Sequence, residues 1–279
     1  MTVVVVLASP PRPGLVCSSL PETTPLSASE AADLYAASLA DTLRAAEQAG
    51  GQLLVNYRPA ETIPDGESAA DGEATAESQT TLENKPDPAA AVRALASEAL
   101  ADVTDARFEP QVGSTPSARL GNTVTHLLRE EGADSVAVLR PVAPLVRRST
   151  VDSGVMKLRS NQTVVGATPA GDYFFAGFTD PLAFDDALAD PAVQTLTDRA
   201  RDADHEVDFL PVQPAVDTPA GLSTLVPLLR ARVRAERVVP TETATFLHDH
   251  DLAVRDGAVV RENAAEERAA EEDAVDESP

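Results

Sequence analysis

The chain has 279 residues, with 45 acidic side chains against 22 basic ones and a formal net charge of −23. That charge excludes nucleic acid and an anionic membrane face as partners, because both are bound by basic residues that displace counterions. With 43% apolar residues the chain can build a core, and its one cysteine, Cys17, allows no intrachain disulfide and no thiolate metal site of its own.

The composition is skewed further: only Lys85 and Lys157 are lysine, Trp is absent, and Phe and Tyr are few. Dense carboxylates with little lysine read as a surface adapted to high salt, where screening over roughly 3 Å removes most of their mutual repulsion. Met1 to Leu7 carries no basic leader, and no stretch reaches the ~18 apolar residues that span a bilayer, so the expected location is the cytoplasm.

In chain order, Val3 to Leu7 is a continuous β-branched run, the pattern of a central parallel strand buried on both faces. Ser27 with Glu30 forms a capping box, and Tyr35, Leu39, Leu43 and Ala46 then recur at helical spacing until Gly50-Gly51. Leu53 to Tyr57 is the next strand. Pro59 to Pro88 holds eight carboxylates, one lysine and almost no large apolar residue, so residues 60–88 read as an acidic, disordered insertion. Asp87-Pro88 and Thr115-Pro116 each place a capping side chain before a proline, opening helices to about Ala101 and Glu131.

Ser135 to Leu139 follows as a strand, Thr150 to Leu158 as a helix, Thr163 to Ala167 and Tyr173 to Ala176 as strands, Ala192 to Ala203 as a helix and Val207 to Leu210 as a strand. Thr218-Pro219 opens a last helix through Leu222, Leu225, Leu228 and Leu229. Residues 263–279 carry seven acids and one arginine and read as a disordered tail, which leaves residues 1–262 as a single domain. The alternation predicts an α/β fold with a mostly parallel central sheet flanked by helices. Ligands of such sheets bind beyond the carboxyl ends of the strands, so the loops after Leu7, Leu139 and Leu210 should line a site.

Four segments carry a family resemblance: Pro11 to Leu20 (PRPGLVCSSL), Val138 to Leu145 (VLRPVAPL), Val165 to Phe178 (VGATPAGDYFFAGF) and Val216 to Leu222 (VDTPAGL). In order and spacing they resemble the radical-SAM/selenodomain-associated transferases, glycosyltransferase-A-like relatives of the nucleotide-diphospho-sugar transferases and of small nucleotidyltransferases. The resemblance implies that fold. It also implies a nucleotide or nucleotide-sugar ligand, with Arg12, Gly14, Ser18 and Ser19 lining the phosphates, Gly171, Asp172 and Tyr173 on the acceptor side, and Asp217 holding Mg²⁺ or Mn²⁺. Departures are concentrated at the charged positions. Cys17 and Ser19 stand where the family has a lysine and an arginine, Val142 and Ala170 where it has aspartates, and Asp172 where it has glycine. Two functions follow: a transferase acting on a nucleotide-activated sugar or related phosphate ester, or a non-catalytic binding or scaffold protein that keeps the fold.

Other features have a bland and a sharp reading. Cys17 is a buried apolar residue or a nucleophile. Tyr173 packs in its strand while Asp172 stands at a site rim. Lys157 pairs with Asp152 or solvent, or meets a phosphate. His248 and His250 converge on a metal only in an extended segment. Arg230, Arg234 and Arg237 form a solvated stripe or dock the acidic tail.

Overall fold

The computed structural model describes residues 1–64, 87–169 and 171–262. Its centre is a seven-stranded sheet built from β1 (Thr2–Ala8), β2 (Gln52–Tyr57), β3 (Arg107–Pro110), β4 (Ser135–Leu139), β5 (Thr163–Ala167), β6 (Tyr173–Phe178) and β7 (Val207–Leu210). The order is β3-β2-β1-β4-β6-β5-β7. All neighbouring pairs are parallel except the two made by β6, which runs against β4 and β5.

The Val3–Val6 run is β-branched because β1 is covered on both faces. Val4 and Val6 join an apolar cluster with Leu34, Leu39 and Leu43, while Val3 and Val5 join a second one with Leu120, Val124 and Leu127. The first face is covered by α2 (Ala28–Gln48), α3 (Pro88–Ala99), α5 (Arg148–Lys157) and α7 (Pro219–Arg234), the second by α4 (Pro116–Arg129) and α6 (Ala192–Asp202). A short α1 (Leu20–Thr23) precedes α2. Phe174 and Phe175 are fully buried, and a Cβ at Gly154 of α5 would stand 2.4 Å from the Phe175 ring, so only glycine lets that helix lie so close to β6.

The expected caps form: Ser27, Asp87, Thr115 and Thr218 each accept a hydrogen bond from a first-turn backbone N–H. Strand β3, paired with β2 over four residues, had no expectation, because its sequence Arg-Phe-Glu-Pro carries little apolar signal. Nor was a helix or strand predicted between Leu229 and the tail. There the chain forms α8 (Thr241–Asp249) and a hairpin of β8 (Leu252–Arg255) and β9 (Ala258–Arg261). Asp256 and Gly257 take positive φ of 52° and 80°, the turn that an Asp-Gly pair favours. Leu252 and Val259 join the same core as α7.

Most of the acidic insertion expected at 60–88 lies outside the described residues; at its two ends Ala60–Thr62 form a 3₁₀ turn and Asp87 caps α3. The tail expected at 263–279 lies outside them altogether, and so does its docking on the arginine stripe; the Arg230 guanidinium meets Glu262 at 2.6 Å. Among the described residues no helix is long and apolar enough to cross a membrane.

Glu30 ties the hairpin to the first long helix. Its carboxylate accepts from the Ser27 N–H at 2.8 Å and from Arg261 at 2.6 Å, and these bonds, the Ser27 backbone bond above all, lower its pKa from 4.5 to about 2. A depressed folded-state value contributes stability above the unfolded pKa and loses it as pH falls through the folded one. Glu30→Gln should therefore melt below wild type by a constant margin above about pH 5, and that margin should shrink toward zero near pH 2. A margin independent of pH, measured by scanning calorimetry, would contradict this role.

Candidate functional site

A cavity of about 330 Å³ opens beyond the carboxyl ends of β1, β2 and β4. Each strand delivers its next residue there, as the topology requires. Ser9, Arg58 and Arg140 directly follow β1, β2 and β4. Arg119 enters from the first turn of α4, and Asp172 and Tyr173 enter at the amino end of the antiparallel β6.

Arg140 is the hub. Its backbone N–H donates to Phe174 O at 2.9 Å, which locks the residue between β4 and β6. Nη1 donates to the Asp172 carboxylate and, at 3.1 Å, to Tyr173 O, while Nη2 donates to the Asp217 carboxylate at 3.2 Å. Its guanidinium carbon lies 5.2 Å from the centre of the Tyr173 ring. Burial alone would disfavour its charge, but Asp172, Tyr173 and Asp217 more than offset that and raise its pKa.

The two aspartates are held by their neighbours. Gly171, at φ 79°, closes the turn in which Thr168 N–H donates to Asp172 O at 2.8 Å, a left-handed conformation that favours glycine. Asp217 sits just before α7, positioned by Val216 N–H to Val142 O at 2.7 Å and by the Ser19 hydroxyl to Asp217 O at 3.0 Å. Behind it, a Cβ on Gly221 would stand 2.2 Å from Ala215 O, so this approach also needs glycine. Burial raises the Asp217 pKa, Arg140 lowers it, and Asp172 raises it again.

The other two arginines differ from Arg140. Arg119 is 9% exposed and donates to Ser114 O at 3.3 Å. Arg58 is half-buried and donates from Nη2 to Thr62 O at 2.6 Å, and its Nε is buried with no hydrogen-bond partner. Burial lowers both pKa values, and Arg58's charge lowers that of Arg119 further. The acidic groups that partly offset this are phenols, Tyr35 for Arg58 and Tyr173 for Arg119, rather than carboxylates. Guanidiniums stay charged at neutral pH, so two positive charges share this cavity with no ion-pair partner among the described residues, its one lining aspartate, Asp172, being held by Arg140. An anion is the group that completes them.

The structure separates the residues singled out from the sequence. Gly171, Asp172, Tyr173 and Asp217 gather around Arg140, and Tyr173 is buried in β6 while the Asp172 side chain is 38% exposed at the cavity wall. Arg12, Gly14, Ser18 and Ser19 do not line the cavity: Gly14, Ser18 and Ser19 are exposed on the loop before α1, and the Ser19 hydroxyl is spent on Asp217 O. Asp217, expected to face a divalent cation, faces a guanidinium. Among the described residues no three His, Cys, Asp or Glu side chains group as metal ligands, so the donor set around Asp217 does not fit the Mg²⁺ or Mn²⁺ the resemblance implies. Val142 is buried, and Ala170 lies outside the described residues.

Of the remaining candidates, Cys17 is buried and its thiol pKa is pushed up to about 12 by desolvation and then by Asp217, so it stays protonated and is no nucleophile. Lys157 pairs with Asp208 of β7, while Asp152 pairs with Arg148. His250 stacks on Phe246 at 4.0 Å and bonds its carbonyl, while His248 lies in the last turn of α8, so the segment is helical rather than extended. Sequence reasoning missed Arg58, Arg119 and Arg140. The signal was present: Arg58 and Arg140 are each the first residue after a buried strand at the sheet's carboxyl edge.

No family model matches the chain, and no curated protein matches it. Among solved structures it is similar to a protein from Desulfovibrio desulfuricans G20 assigned as a nucleotide-diphospho-sugar transferase, with TM-score 0.65 and 20% identity over 90% of this chain and 95% of that one. Looser superpositions relate it to a cytidylyltransferase from Leptospira borgpetersenii serovar Hardjo-bovis (TM-score 0.44, 11% identity, 89% of this chain and 94% of that one) and to 4-diphosphocytidyl-2C-methyl-D-erythritol synthase from Anaerococcus prevotii DSM 20548 (TM-score 0.41, 10% identity, 85% and 99%). The chain therefore has an α/β fold of the nucleotide-diphospho-sugar transferase type, its mostly parallel seven-stranded sheet flanked by helices.

Proposed function

We propose that the chain is a divergent, salt-adapted, cytoplasmic relative of the radical-SAM/selenodomain-associated transferases, and that it binds a nucleotide-activated sugar or a related phosphate ester in the cavity at the carboxyl edge of its sheet. The observation that carries this reading is the pair Arg58 and Arg119: two guanidiniums in one cavity, one of them 9% exposed, in a chain of net charge −23 and without a carboxylate partner among the described residues. A chain this acidic has carboxylates to spare for neutralising them, so their lack of a carboxylate partner among the described residues favours an anionic ligand. The phosphates then meet these arginines, not the Ser18–Ser19 loop.

A second reading, a binding protein without catalysis, is favoured by one specific observation. Both carboxylates that could serve as general base, Asp172 and Asp217, are engaged by Arg140. A melting screen in multi-molar KCl with nucleoside triphosphates and nucleotide-sugars tests the shared claim. At least one phosphate ester should raise the melting temperature of wild type and leave Arg58→Met unmoved; no shift by any of them, in folded protein, would sink both readings. Turnover of the stabilising ligand then separates transferase from binder.

A further inference from the structure

We infer that Arg140 is a built-in replacement for a divalent cation between Asp172 and Asp217, so that ligands of this cavity bind without metal. This deepens the reading above, and rests on it for the nature of the ligand but not for the exclusion of the metal.

The geometry is that of a cation already in place. Three separate elements converge on one guanidinium: the residue after β4 supplies it, the turn before β6 supplies Asp172, and the approach to α7 supplies Asp217. The backbone of each segment is placed by its own bonds, Arg140 to Phe174 O, Thr168 to Asp172 O and Val216 to Val142 O, and the Asp172 carboxylate also accepts from the Tyr173 N–H at 2.7 Å. The side chains are 26%, 38% and 21% exposed for Arg140, Asp172 and Asp217, so the cluster borders the cavity rather than lying beneath it.

A hard divalent ion seeks six or more oxygens, and two carboxylates that already face a positive charge are a poor site. To enter, Mn²⁺ would have to displace the guanidinium or sit beside it, like charge against like charge in a half-buried place. In exchange the protein gains direction. A guanidinium carries five N–H donors, of which the bonds to Asp172, Tyr173 O and Asp217 use three, leaving donors for an oxyanion in the cavity. With one positive charge against two negative ones the cluster keeps a residual negative charge, which Arg58 and Arg119 across the same cavity exceed by one positive charge, still leaving room for an anion.

The test is a Mn²⁺ titration of the full chain, stripped with EDTA and held in about 1 M KCl to screen the acidic surface, followed by the paramagnetic resonance of free Mn²⁺. Wild type and Asp217→Asn should titrate identically. Arg140→Ala should acquire a site at least about tenfold tighter than anything in wild type, removed by adding Asp217→Asn, whereas Arg140→Lys should keep the metal out. A site in wild type that Asp217→Asn abolishes would overturn the inference, and this comparison decides the matter even if Arg140→Ala fails to fold. Calorimetry with inorganic pyrophosphate gives the second arm. Equal affinity in EDTA and in Mn²⁺ supports the inference, and binding that requires Mn²⁺ overturns it while leaving the anion cavity intact. Absence of pyrophosphate binding under both conditions removes the anion reading, and the resonance titration alone then decides whether the metal is excluded.

Discussion

Arg119→Met should raise the melting temperature of the ligand-free protein and erase its stabilisation by phosphate esters. Arg119 is 9% exposed, its side chain donates only to Ser114 O among the described residues, and it feels Arg58's charge as well as its own desolvation. Methionine keeps most of the apolar stem and removes a charge that has no carboxylate partner among the described residues. Relief of about 1 kcal/mol is expected, a rise of about 2–4 °C for a chain of this size. The same change removes a charged donor worth about 1.5–3 kcal/mol to a bound oxyanion, a loss of about 10- to 100-fold in affinity. Arg58→Met should follow the same direction with a smaller gain, since Nη2 of Arg58 already bonds Thr62 O. Scanning calorimetry with and without ligand reads both effects, and a destabilised Arg119→Met that still binds would mean the arginine is structural.

The largest effect on stability is expected at Asp41. This buried residue of α2 accepts from Glu242 N–H at 3.1 Å, Thr243 N–H at 2.8 Å and the Thr243 hydroxyl at 2.8 Å. It thereby caps α8 from another helix, because Pro240 at the start of α8 offers no side-chain acceptor. Burial raises the Asp41 pKa more than these three donors lower it. A raised folded-state value contributes most at low pH and loses that contribution as pH rises through it, so the charge is tolerated at neutral pH for the sake of its bonds. Asp41→Ala leaves two backbone N–H groups and a fully buried hydroxyl without acceptors and should cost about 2–4 kcal/mol, most of it as loosening of α8 and the following hairpin. Asp41→Asn keeps one acceptor oxygen and the shape, and should cost less than half as much. Urea denaturation measures both; an alanine variant as stable as wild type would show that α8 holds its own terminus.

The fold was readable where one physical signal dominates. The Val3–Val6 run, the capping box at Ser27-Glu30 and the capped prolines at 88, 116 and 219 each point to one local structure, and the order of strands and helices then leaves few topologies. β3 escaped because an edge strand of four residues with two charges has no periodicity to detect. α8 escaped because its cap comes from Asp41, two hundred residues away, a link that no local pattern carries. The site was half legible. Asp172, Tyr173 and Asp217 stood out through motif resemblance, whereas the arginines did not, because attention to missing acidic ligands hides a cation that arrived in the same segment. VLRPVAPL contains both the valine in place of a ligand and, two residues earlier, Arg140, which now binds the remaining carboxylates.

The central claim is that Arg58 and Arg119 hold the anionic part of the ligand. Titration calorimetry of inorganic pyrophosphate into wild type, Arg119→Met and a loop variant, Ser18→Ala, tests it most directly. Saturable binding to wild type and Ser18→Ala, weakened at least about tenfold in Arg119→Met, is the predicted result. Binding that survives in Arg119→Met and is lost in Ser18→Ala would contradict it and return the phosphates to the loop after β1.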